Sequence, residues 1–328
     1  MATYYDIFGQ KVQYLSSDPS PVAEGQVWYN SSTSLPKLRT FSTAAWASTP
    51  VCPYTTRDAS GFGTQTAGVI FGGSVPSATS TAVEWNGTSF SAATSIPSGI
   101  SGLDSDGPQT AGLTAGGSPG PNNTTSFDYN GTSWTANPAL NVARTGHATM
   151  GNTAAQTAAL ATGGEPAPAS ATTSDWDGSS WTAGAANPGW AQGTSGGGTP
   201  SAAFVNASVN DGDGTADYNG TSWTAGNNSN HEHNYGGAGG LASSGITFGG
   251  TTATPPSPAK TAQAEIYDGT CWTSDASMNE ARSNTHGKAT VNGPAILVAT
   301  GNPGPPGSSN VSEEYTGATA VTQTITTT

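Results

Sequence analysis

Charged residues make up only 9% of this 328-residue chain, which holds 45 glycines and 22 prolines, and its 8 basic side chains are outnumbered by 21 acidic ones for a net charge of −13. So acidic a chain cannot displace counterions from phosphate, which excludes nucleic acid and disfavours an anionic membrane surface. Turn residues at this frequency, separated by Ala, Thr and Ser with no 3.6-residue apolar period, exclude a helical protein and point to many short strands.

The first residues, MATYYDIFGQKVQYL, lack the basic head and apolar core of a secretory signal, and no apolar run approaches a membrane span, so synthesis in a cytoplasm without membrane insertion is expected. QVWYN at 26–30 reads as a strand, and TFSTAAWAS at 40–48 as a hairpin. Two elements then recur. The first is EWNGTSFSA at 84–92, DYNGTSWTA at 128–136, DWDGSSWTA at 175–183, DYNGTSWTA at 217–225 and IYDGTCWTS at 266–274, with a degenerate EYTGATAVT at 314–322. Its opening aromatics, Trp85, Tyr129, Trp176, Tyr218, Tyr267 and Tyr315, are spaced by 44, 47, 42, 49 and 48 residues, and Phe41 precedes Trp85 by 44. The second is TQTAGVIFGG at 64–73, PQTAGLTAGG at 108–117, AQTAALATGG at 155–164 and LASSGITFGG at 241–250, with looser copies at 199–208 and 292–301.

Each element has a physical reading. Asn-Gly and Asp-Gly supply two residues tolerant of positive φ, the chemistry of a tight hairpin turn, and this also accounts for the glycosylation-like triplets at Asn86, Asn130 and Asn219. The aromatics five apart flank that turn and are placed to pair across the hairpin. The Gly-Gly pairs end runs of small apolar residues suited to a crowded inner strand. Four short strands per unit of about 46 residues are the signature of a propeller blade. The fold expected is all-β, a kelch-like β-propeller of seven blades, the first incomplete, with six blades as the alternative in which the N-terminal hairpin stands apart. Residues 1–25 are read as an attachment segment and 26–328 as the propeller.

With EGQVWYNSSTSLPKLRT at 24–40 and EEYTGATAVTQTITTT at 313–328, these repeats resemble the kelch-like tail-fibre and fibre-associated proteins of marine bacteriophages, cyanophages among them. The resemblance spans almost the whole chain. It implies a virion structural protein on a tail or head appendage, assembled in the host cytoplasm, contacting other virion proteins, further copies of itself and a host surface glycan or protein. Capsid decoration or tail connection without a receptor role is the alternative it leaves open. The chain departs from the regular copies at Ala207-Ser208, which replace Gly-Gly, and in the loops at 186–198 and 227–240.

Catalytic signals are weak. The spacing of an Asp box fails in every copy, no paired carboxylates or nucleophile elbow stand out, and a glycan-cleaving enzyme is the least favoured reading. No enzyme activity, cofactor or metal is expected. His231-Glu232-His233 is one local cluster of metal-ligand types, weighed against a polar loop tip; Asp211, Asp213 and Asp217 match a calcium loop in part. Cys52 and Cys271 are read as free, partly buried thiols. Trp190, His231, His233 and Tyr235, in the irregular loops, are the candidate surface-binding residues.

Overall fold

The structure, a computed structural model, describes residues 12–20, 25–118, 124–151, 156–165, 171–189, 192–209, 211–252, 259–287, 295–304 and 307–325. The chain divides into two compact units: Met1–Ala45 with Gly317–Thr328, and Trp46–Thr316. In chain order the strands are β1 (Gln13–Leu15), β2 (Val27–Asn30), β3 (Leu35–Phe41), β4 (Ala45–Ser48), β5 (Ser60–Thr64), β6 (Ala67–Phe71), β7 (Ala82–Trp85), β8 (Phe90–Ala92), β9 (Ser101–Asp106), β10 (Gly112–Ser118), β11 (Ser126–Tyr129), β12 (Trp134–Ala136), β13 (Ala148–Gly151) and β14 (Ala159–Thr162). They continue as β15 (Thr173–Trp176), β16 (Trp181–Ala183), β17 (Ser195–Thr199), β18 (Ala202–Ser208), β19 (Asp211–Tyr218), β20 (Trp223–Ala225), β21 (Gly237–Leu241), β22 (Ser244–Phe248), β23 (Ala264–Tyr267), β24 (Trp272–Asp275), β25 (His286–Gly287), β26 (Ala295–Ala299), β27 (Ser312–Thr316) and β28 (Ala320–Thr324). No α-helix occurs among the described residues.

The protein is an all-β, kelch-like propeller, and the strands of the described residues form seven sheets. The first unit holds one of them, in the order β1-β2-β3-β28, with β28 antiparallel to β3. The second unit holds the blades. Blades 1 to 5 are β5–β8, β9–β12, β13–β16, β17–β20 and β21–β24, each a simple up-and-down meander. Blade 6 combines β26 and β27 with β4, so its outer strand comes from the opposite end of the chain, while β25 pairs in parallel with β5 through His286↔Ser60 and Gly287↔Gly61. The inner strands β5, β9, β13, β17, β21 and β25 follow one another around an axis, and β25 and β26 return to β5. Of the two blade counts the sequence allows, seven counts all the sheets among the described residues and six counts those of the ring. The boundary drawn at residue 25 on sequence differs from the division after Ala45, because β2 and β3 are tied into one sheet with β28.

Hydrophobic burial lies between blades. Phe62, Val69 and Phe71 of blade 1 pack on Leu103, Phe127 and Tyr129 of blade 2, and Met150 and Leu160 of blade 3 pack on Val205, Tyr218 and Trp223 of blade 4. Aromatic pairs cap each outer hairpin: Trp85–Phe90 at 4.7 Å, Tyr129–Trp134 at 4.7 Å, Trp176–Trp181 at 5.3 Å, Tyr218–Trp223 at 4.9 Å and Tyr267–Trp272 at 4.7 Å. Each such pair adds about 0.5–1.5 kcal/mol beyond its buried area. Blade 6 makes its pair from both chain ends, Tyr315 with Trp46 at 5.2 Å. The outer tryptophans also donate their indole N–H to the preceding blade: Trp134 to Thr94 O, Trp223 to Thr173 Oγ1, Trp272 to Thr215 Oγ1, and Trp46 likewise to Ala276 O.

The hairpin turns are tight, with the aromatics flanking them as expected, but they use one residue at positive φ and not two. Strand pairing ends at Tyr129↔Trp134, so four residues make the loop, and only the glycine is left-handed, with φ of 88° at Gly131. The Asn130 side chain does the rest, its Oδ1 accepting the N–H groups of Thr132 and Ser133 at 3.0 and 2.8 Å. An Asx turn of this kind needs an acceptor side chain and not a left-handed Asn, so Asp177 and Asp268 serve equally well. The Gly-Gly corners carry positive φ at both residues, 70° and 93° at Gly72 and Gly73; where the sequence has Ala207-Ser208, Ala207 adopts φ of 59° despite its Cβ. Cys52 is wholly buried and its thiol is pushed up to about 11 by that burial, whereas Cys271 is exposed; both are free.

Candidate functional site at the channel mouth

The chain enters every inner strand through one residue in the left-handed region. These residues are Asp58 (φ 55°), Gly102 (62°), Gly146 (59°), Gly193 (84°), Tyr235 (57°) and Asn284 (58°). Each donates its N–H to the carbonyl of the one before: Gly102 to Asp58 at 2.9 Å, Gly146 to Gly102 at 2.9 Å, Gly193 to Gly146 at 2.9 Å, Tyr235 to Gly193 at 3.1 Å and Asn284 to Tyr235 at 2.6 Å. The last link is made by side chains, Asn284 Nδ2 donating to Asp58 Oδ1. The result is a hydrogen-bonded hoop around the end of the channel, one residue per blade. Residues just before the hoop pair with residues just after the Gly-Gly corners, as in Thr145↔Glu165, Asn234↔Thr251 and Ser283↔Asn302, which builds a wall above it.

Hoop and wall line an open recess of about 720 Å³, a size suited to a small ligand. Its lining is polar, and it is uneven. Blades 2, 3 and 4 bring the glycine backbone of Gly102 and Gly146 with the side chains of Ser118, Thr145, Glu165 and Gln192 beside the hoop; blades 5, 6 and 1 bring side chains of the hoop itself. On that second half Lys260 Nζ donates to Ser283 Oγ at 2.6 Å, Ser283 Oγ donates to Asn284 Oδ1 at 2.9 Å, and Asn284 reaches Asp58, whose other oxygen faces Arg57 Nε at 3.7 Å and accepts from Ser74 Oγ at 3.4 Å. Burial, with the charge of Arg57, holds the Lys260 ammonium below the usual lysine range, against the pull of Asp58. Tyr235 donates its hydroxyl to Gln192 Oε1 at 2.6 Å. Its phenol is pushed above the usual range by burial and by the charges of Glu165 and Asp58, so it stays protonated as a donor. A Cβ placed on Gly193 would lie 3.3 Å from both Cδ atoms of the Tyr235 ring, so the ring lies flat over that glycine.

A left-handed conformation costs a non-glycine residue about 1–2 kcal/mol, least for Asn and Asp and most for a bulky side chain such as Tyr. Six non-glycine residues in the described chain carry positive φ, and three of them, Asp58, Tyr235 and Asn284, stand in this hoop. Strain that the fold does not require collects at functional sites.

Of the four residues singled out on sequence, Tyr235 lines the cavity. His231 is exposed, and Trp190 falls outside the described residues. His233 is a correction: it is wholly buried, with Nδ1 2.8 Å from Gly249 O and Nε2 3.3 Å from Glu265 Oε2. Glu265 also accepts the N–H groups of Asn230 and His231, each at 3.1 Å, so the His-Glu-His loop is latched to a buried carboxylate and its two imidazoles do not share a face. Burial raises that carboxylate, but the hydrogen bonds from His233, Asn230 and His231 outweigh it and leave the group below its ordinary value. The calcium reading of Asp211, Asp213 and Asp217 is not assembled either: Asp217 accepts the Tyr267 hydroxyl of the next blade at 3.0 and 2.9 Å, and Asp213 accepts from Asn228 at 3.1 Å. Among the described residues no three His, Cys, Asp or Glu side chains are grouped to hold a metal.

Asp58, Glu165, Gln192, Lys260 and Asn284 were not found by residue type, yet a signal exists. The hoop residue follows the second aromatic of the preceding hairpin by 12 residues in every case: Trp46 to Asp58, Phe90 to Gly102, Trp134 to Gly146, Trp181 to Gly193, Trp223 to Tyr235 and Trp272 to Asn284. Three of these positions are glycine, which hides a site when chemistry-bearing residue types are what is sought.

Fold and site together define a β-propeller with a polar recess at one end of its channel. The chain is similar to the solved kelch-type propeller YjhT, at 14% sequence identity and a TM-score of 0.65, over 83% of this chain and 99% of that one, a likeness that extends to the fold. No protein-family model matches the chain, and none of the curated proteins does.

Proposed function

We propose that this protein is a bacteriophage virion component, a tail fibre or fibre-associated propeller that contacts the host surface through its channel mouth and carries out no chemistry there. The observation that carries this reading is the hoop: three side chains kept in a strained conformation around a polar, preformed cavity, at positions where the neighbouring blades use glycine. Preformed cavities lined by convergent polar groups bind ligands with little ordering cost. The sequence resemblance to phage fibre proteins supplies the biological setting.

The charge distribution supports a division of labour. Between residues 46 and 316 there are five basic and eighteen acidic side chains, whereas the remainder of the chain has three of each, so the net charge of −13 belongs to the blade unit. The neutral unit is the part suited to contacts with other virion proteins or further copies, since like-charged bodies repel. That same observation favours a second reading, a decoration or connecting protein in which only the neutral unit makes contacts.

The test uses virions of the phage that encodes the chain, together with the purified full-length protein. Mass spectrometry is expected to find the protein in the particles, and preincubation of host cells with it is expected to slow adsorption. Its absence from virions overturns the proposal. Presence without any effect on adsorption favours the connecting role.

A further inference from the structure

We infer that the channel mouth is a lectin-type site for a neutral hexopyranose, with Tyr235 as the stacking platform and Asp58 and Glu165 as hydroxyl acceptors. The inference rests on the reading above that this end of the propeller meets the host. The Tyr235 ring has one face against Gly193, and the half-buried residue lines the cavity, so its other face is available to the apolar side of a sugar ring. Its hydroxyl is tied to Gln192, which fixes the ring plane before any ligand arrives. Around it stand groups that match vicinal hydroxyls: carboxylates that accept hydrogen bonds, an ammonium and an amide that donate, and hydroxyls at Ser118 and Thr145.

Neutrality follows from charge. At the mouth the carboxylates of Asp58 and Glu165 are matched by the Lys260 ammonium, which is engaged by Ser283, and by Arg57, 3.7 Å from Asp58, so no cation among the described residues there is left over to attract an anionic sugar. The surrounding blade unit is strongly acidic, so a sugar bearing a carboxylate or sulfate is disfavoured on approach.

The test measures binding of the methyl glycosides of glucose, galactose and mannose, and of glucuronic acid, to the full-length chain by ligand-observed NMR, with host-cell adhesion measured in parallel. Tyr235→Gly is the informative variant, because glycine already occupies the equivalent position in three blades and relieves the backbone. At least one neutral glycoside is expected to bind, glucuronate more weakly, and Tyr235→Gly is expected to lose about tenfold in affinity for the neutral sugar and in cell adhesion. Adhesion that survives in Tyr235→Gly, with no neutral glycoside bound, overturns the sugar site and leaves host contact standing. Wild-type protein that adheres to no host cells overturns host contact itself. Tighter binding of glucuronate than of every neutral sugar overturns the assignment of class.

Discussion

The rim of the propeller and the mouth of its channel are built from the same repeat, yet they use it differently. At the rim every blade ends in an aromatic pair, and the blade assembled from both chain ends reproduces it with Tyr315 and Trp46. At the mouth every blade presents the same left-handed backbone, but three blades do so with glycine and three with Asp58, Tyr235 and Asn284. Uniformity marks what the fold needs, since each rim pair seals one blade against the next. Divergence on an unchanged backbone marks what the fold can spare, and it falls on adjacent blades 5, 6 and 1, where it shapes one wall of a cavity.

The largest expected effect is at the rim. Trp46→Ala removes an almost fully buried indole that packs on Phe248 and Tyr315 and donates to Ala276 O at 2.8 Å. A loss of about 3–5 kcal/mol is expected in denaturant unfolding; a loss below about 1 kcal/mol would mean that β4 does not close the ring. Next comes the glycine half of the mouth. Gly193→Val forces a β-branched residue to φ of 84° and places its Cβ 3.2 Å from the Tyr235 nitrogen, for a cost of about 1–3 kcal/mol. Smaller again is the inter-blade staple at Gln109, whose Nε2 donates to Gly68 O at 3.2 Å and Trp85 O at 3.3 Å. Gln109→Ala is expected to cost about 1 kcal/mol, read as a shift in unfolding midpoint with unchanged slope.

Much of the architecture was legible because small inner residues, glycine corners and aromatic caps each answer a local steric demand that recurs with one period. Gly112 shows how tight that demand is: a Cβ there would sit 2.2 Å from the Phe62 ring of blade 1. What local chemistry could not convey was the partner of β4, whose ladder lies at the far end of the chain beside Tyr315. Nor could it convey that His233 turns inward to Glu265 while Tyr235, two residues on, lines the cavity, because neighbouring loop residues share composition but not environment. The mouth escaped for a further reason: its defining feature is a backbone conformation, and residue identity at the six positions ranges from glycine to tyrosine.

The smallest stability effect is also the most direct test of the central claim, that side chains at the mouth serve a ligand and not the fold. Unfolding of Tyr235→Gly, measured beside wild type, is expected to change stability by less than about 1 kcal/mol, because relief of left-handed strain offsets the lost Gln192 hydrogen bond and ring contacts. A loss of about 3 kcal/mol or more, the ordinary cost of truncating a large aromatic in a core, would contradict it.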